Sequence, residues 1–131
     1  MAHPQMFDDD DPMLERVRAI ALGLPEAAEK ISHGRPTFFT QKIFAHYSGT
    51  EKHDSGAMVQ HPQALLVLLD PMDAEAVLEQ PGSFVPMYLG PSGWVGLEIA
   101  DLDDGEIREL LVDSYRNTAS ARLVKALDAQ E

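Results

Sequence analysis

Apolar positions in the first stretch of the chain recur with a helical period. Leu14, Val17, Ile20 and Ala21 fall at spacings of three, three and one, the stripe an amphipathic helix buries. Asp11 followed by Pro12 supplies the start: an acid that can cap free N–H groups, then a residue whose fixed φ suits the first turn. Gly23 is the natural stop. Pro25 opens a second short stretch of the same kind, with Ala28 and Ile31 inward. Gly34 closes it and Pro36 keeps it from resuming.

Beyond Pro36 the period changes. Residues 37–40 and 43–47 are rich in aromatic and β-branched residues and predict two short strands joined at Gln41-Lys42. Ser48 to Gly56 reads as an exposed loop or hairpin tip. Ala64 to Leu69 is a continuous apolar run, which predicts a central strand covered on both faces. Asp70-Pro71 repeats the cap-and-proline signal for a helix running to Glu79. Phe84 to Leu89 reads as partly extended, Pro91-Ser92-Gly93 as a turn, and Trp94 to Ile99 as a strand. Along that strand Trp94, Gly96 and Glu98 face one side and Val95, Leu97 and Ile99 the other. Asp103 with Glu106 forms a capping-box signature. It opens a helix with Ile107, Leu110, Leu111 and Ser114 inward, ending near Asn117. A last short helix carries Leu123, Val124 and Leu127. Strands joined by short turns imply a largely antiparallel sheet with helices packed on it: one α+β domain over residues 12–131, preceded by a flexible acidic tail over residues 1–11.

Composition narrows the function classes. The chain has 131 residues and no cysteine, which excludes disulfides, thiolate metal sites and cysteine nucleophiles. Its longest apolar run is far too short to cross a bilayer, and its start lacks the basic-then-apolar pattern of a secretory signal. A cytoplasmic protein with no membrane partner is expected. The formal net charge is −12; without Asp8 to Asp11 the rest carries −8. A field of that sign repels phosphate, so nucleic-acid binding requires a local basic patch.

The chemistry-bearing residues form no catalytic pattern. His46, His53 and His61 are seven and eight positions apart, not at the close spacing of zinc ligands, and His3 and His33 stand alone. Ser55-Gly56 and Ser92-Gly93 are turn pairs outside any nucleophile elbow. Gly90-Pro91-Ser92-Gly93 lacks the lysine and following helix of a phosphate loop. Neither an enzyme nor a cofactor is expected. Two mixed clusters remain. One is His33, Arg35, Phe38 and Lys42 around the first hairpin; the other is Tyr115, Arg116, Arg122 and Lys125 near the C-terminus. Cations interleaved with rings can hold phosphates and stack on bases.

Three ordered segments carry a resemblance. They are His33 to Phe38 followed by Lys42 to Ala45, then Phe84-Val85-Pro86 running to Gly93-Trp94-Val95-Gly96-Leu97, then Glu109 to Arg116 ending in Ser114-Tyr115-Arg116. Together they resemble the MmcQ/YjbR family of small bacterial proteins, over Met13 to Leu127. The matching positions include Gly34, Pro36, Phe38, Lys42, Phe44, Gly93, Trp94, Ser114, Tyr115 and Arg116. The resemblance implies a "double-wing" fold, a curved antiparallel sheet with helices on one side, and a DNA-binding or regulatory role. It brings no catalytic residues. The chain departs from the family pattern at Asn117 to Arg122, which has no proline and few cations. The expectation is therefore a DNA-binding domain with Arg35, Lys42, Arg116, Arg122 and Lys125 as phosphate contacts. The alternative is a non-catalytic module for a protein or small molecule, with His33, Phe38, Tyr88, Trp94 and Tyr115 lining its groove.

Overall fold

The computed structural model describes residues 4–130. Helix α1 is Pro12–Ala21, capped by Asp11, whose side chain accepts from the Met13 N–H at 2.9 Å. Strands β1 (Ala28–Ser32), β2 (Arg35–Phe39), β3 (Ile43–Lys52) and β4 (Met58–Leu68) follow as a meander. Helix α2 (Pro71–Leu78), strands β5 (Ser83–Phe84) and β6 (Trp94–Glu98), and helices α3 (Asp104–Thr118) and α4 (Ala121–Gln130) complete the chain. All pairings in the six-stranded sheet are antiparallel, in the order β1-β2-β3-β4-β6-β5. The α+β architecture with helices packed on one face is as expected.

Residues 25–34 are the main departure. The segment read as a helix is strand β1 and its turn. His33 and Gly34 both have positive φ, 53° and 82°, the left-handed pair of a two-residue hairpin. The turn pairs Ser32 with Arg35 and fixes the register back to Ala28 opposite Phe39. Strands β3 and β4 also extend further than the apolar runs suggest, so the exposed tip shrinks to a few residues around Ser55.

Two apolar clusters lie on opposite faces of the sheet. The larger joins Leu14 and Val17 of α1, Ile107, Leu111 and Tyr115 of α3, and Leu123 and Leu127 of α4 to Phe38, Tyr47, Leu65, Val67, Val95 and Leu97. The smaller consists of Ala64, Leu66 and Phe84 with Leu89 and Trp94 against them, and contains no helical residue. Ser114 ties α3 to the sheet. Its Oγ donates to the Phe44 carbonyl at 2.5 Å and accepts from the Leu68 N–H at 2.9 Å. The capping box at Asp103 and Glu106 is present with both reciprocal bonds.

The described part of the segment expected as a flexible tail makes several contacts. The Met6 N–H donates to the Gly34 carbonyl at 2.8 Å, Phe7 packs against the larger cluster, and Asp9 pairs with Arg18 at 2.8 Å. Tyr47 donates its hydroxyl to Asp11, and burial with that carboxylate pushes the phenol pKa up. Residues 1–3 lie outside the described residues, His3 among them.

Candidate nucleic-acid interface

Directly paired residues of antiparallel strands point to the same face. The pairs Lys30↔Thr37, Thr37↔His46, His46↔Leu66, Leu66↔Gly96 and Gly96↔Phe84 therefore form one row across all six strands. Leu66 and Phe84 belong to the smaller cluster, so the row lies on the helix-free face. Phe39 stands two positions after Thr37 along β2 and shares that face, whereas Arg35, at the start of β2, sits at its edge and reaches Thr50 and Gln60, which alternate with Glu51 and His61 and point away from Phe84. Trp94 stands two positions before Gly96.

Contacts within this face follow from the register. The Lys30 ammonium sits 4.6 Å from the centre of the Phe39 ring, a cation over an aromatic face. The Trp94 and His46 rings meet edge to face at 5.0 Å and 77°. All three rings are partly exposed. Burial, followed by the charges of His33 and Arg35, lowers the His46 pKa to about 4. The ring is neutral at physiological pH. Nη2 of Arg35 donates to Thr50 Oγ1 at 2.9 Å and Gln60 Oε1 at 2.8 Å. Its Nε is buried without a hydrogen-bond partner, and burial lowers the guanidinium pKa. No ion pair among the described residues uses Lys30 or Arg35.

The carboxylates that share this face, Glu51 and Glu98, both meet His61. Glu51 Oε1 lies 3.0 Å from its Nε2 and Glu98 Oε1 lies 3.1 Å from its Nδ1. The His61 hydrogen bond lowers the Glu51 pKa against a smaller opposing effect of burial. The imidazole is stacked on Phe84, ring centres 3.9 Å apart and planes 9° from parallel. Glycines make room for that ring: a Cβ on Gly96 would stand 2.4 Å from Phe84 Cζ. Among the described residues no group of three or more histidines and acids is placed to hold a metal.

The expected phosphate contacts do not converge. Arg35 begins β2 at the edge of the helix-free face, whereas Lys42 follows the end of the same strand. Lys42 lines a cleft of about 290 Å³ with Glu26, Thr118, Ser120 and Arg122. Arg122 is bound to Glu26 at 2.7 Å and Arg116 to Asp128 at 2.8 Å. Lys125 is exposed on α4. The groove expected from His33, Phe38, Tyr88, Trp94 and Tyr115 is divided as well. Phe38 and Tyr115 are fully buried on the helix side, because strand alternation turns Phe38 away from Thr37 and the inward stripe of α3 carries Tyr115. The Tyr115 hydroxyl is spent on the Pro25 carbonyl at 2.7 Å. His33 is exposed in the β1–β2 turn, and Tyr88 is 84% exposed in the loop after β5. Trp94 is the ring of that set on the helix-free face. Lys30, Phe39, His46 and His61 were missed, since only the pairing of β1 with β2 and of β3 with β4 brings them to one side.

A second cleft, of about 220 Å³, lies between α2 and α3, with Asp73, Glu106, Glu109 and Asp113 around Val77 and Leu110. Four acids thus share one cleft on the helix side. No helix among the described residues is long and apolar enough to cross a membrane.

A family model described as YjbR matches residues 22–117. None of the curated proteins and none of the solved structures compared with the chain matches it.

Proposed function

The chain belongs to the YjbR family, and on that premise we propose that it is a non-catalytic, cytoplasmic DNA-binding domain that meets phosphates with the helix-free face of its sheet. One observation carries this reading: Arg35, at the edge of that face, is half-buried with only neutral partners. A cation drawn partly out of water without a counter-charge is costly, and an anion docked against it offsets that cost. The surroundings favour the same site. Lys30 stands on the neighbouring strand, and His61 lies between the two carboxylates Glu51 and Glu98. Elsewhere Arg16, Arg18, Arg116 and Arg122 are engaged by acids of the chain itself.

The test is an anisotropy titration of labelled mixed-sequence duplex DNA at low salt. The intact domain is expected to bind by roughly 50 µM, with an affinity that falls linearly on a log–log plot against salt. Arg35→Gln should weaken binding about fivefold or more and flatten the salt slope by about one unit. Arg122→Gln should change little. Absence of binding to duplex and single-stranded DNA alike at roughly 50 µM protein in low salt would overturn the reading.

A further inference from the structure

Resting on the DNA-binding reading, we propose that the helix-free face is a stacking platform that takes single-stranded DNA in preference to duplex. Phosphate contacts alone need no rings, yet Phe39, His46 and Trp94 all stand partly exposed on the face that carries Lys30, with Arg35 at its edge. Phe39 on β2 and Trp94 on β6 are three strand-to-strand steps apart, about 14 Å, with His46 between them. Every base has a π-face that an aromatic side chain can stack on, but only an unpaired base exposes it. The neutral His46 ring adds a third such surface rather than a charge.

Shape argues against the duplex as preferred ligand. Five spacings across six strands make the sheet about 24 Å wide. The major groove is about 12 Å wide. The sheet as a whole therefore cannot enter the groove to reach base edges; the β3–β4 arm beyond Gly49 and His61 is narrow enough to do so, but it carries none of Phe39, His46 and Trp94. A single strand laid across the rings would meet bases on Phe39 and Trp94 and phosphates on Lys30 and Arg35.

Trp94 is the only tryptophan of the chain, so its fluorescence reports the platform directly. The full chain is titrated with an oligothymidylate of about twelve nucleotides and with a duplex of equal length. The expected result is saturable quenching of Trp94 by the single strand and affinity for it about tenfold or more above that for the duplex. Phe39→Leu should weaken single-strand binding about fivefold or more while leaving duplex binding within about twofold, and Phe39→Tyr should restore it. Duplex binding that equals or exceeds single-strand binding, or saturation without quenching, overturns the platform. If the duplex still binds through Arg35, the DNA-binding reading survives that outcome. If neither oligonucleotide binds, both fail.

Discussion

Ser114, His46 and Asp113 show how single side chains set the terms for this fold. Ser114 is fully buried and satisfies both a donor and an acceptor of the sheet. Ser114→Ala keeps a good helix former but strands the Phe44 carbonyl and the Leu68 N–H. It should cost about 1–3 kcal/mol, read as a lower urea midpoint with an unchanged slope. His46 has its pKa lowered to about 4 by burial and by His33 and Arg35. A base whose folded pKa lies below its unfolded value contributes stability that is complete above the unfolded pKa, near 6.5, and is lost as pH falls toward 4. The loss is on the order of 2–3 kcal/mol. His46→Phe keeps an edge contact with Trp94 and removes the titration. Its stability should therefore fall less than that of the parent between pH 6.5 and pH 4, as measured by urea unfolding at each pH.

Asp113 has the opposite sign. Burial raises its pKa, helped by Glu109 and Asp73 and by Asp70, against Arg116. Its ionised form is thus disfavoured in the folded state, and stability declines as pH rises through the ordinary carboxylate range. Asp113→Asn should raise the melting temperature by a few degrees at pH 7, and the gain should shrink toward pH 4. An equal gain at both pH values would contradict this origin.

At the level of elements, the β1–β2 hairpin organises the rest. It depends on two left-handed residues, and at Gly34 a Cβ would also stand 2.3 Å from the Pro4 carbonyl oxygen. Gly34→Ala should destabilise by about 1–2 kcal/mol, whereas His33→Asn, which suits the same φ, should be close to neutral in thermal melts. This hairpin also marks where the sequence was hardest to read. Pro25, Ala28, Ile31 and Gly34 imitate a capped helix, yet the sheet gains β1 by pairing it over five residues with β2. Tertiary pairing overrides a short local pattern of this kind. Helices α1 and α3 were legible because each has its own cap and stripe, and α2 by its Asp70-Pro71 start alone. Strand β6 was legible because Trp94 to Ile99 alternates cleanly. The site was only half legible. Arg35 and Trp94 stood out as a cation and a rare ring. Lys30 became visible only as the partner of Thr37, and of the adjacent pair Phe38 and Phe39 only the register tells which faces the helices.

For the molecule as a whole, the DNA-binding reading has to work against a net charge of −12. The acidic cleft between α2 and α3 lies on the helix side, while the opposite face carries Lys30, with Arg35 at its edge, and His61 between Glu51 and Glu98. On the proposed reading, the slope of log affinity against log salt should match the few cations at this face rather than the ten of the chain. The cations of the C-terminal region play no part in this account, because Arg116 and Arg122 already have partners within the chain. Amide chemical-shift mapping during a DNA titration at low salt separates the two surfaces most directly. Shifts concentrated at Lys30, Arg35, Thr37, Phe39, His46 and Trp94 are predicted. Shifts concentrated instead at Lys42, Arg116, Arg122 and Lys125 would contradict the account.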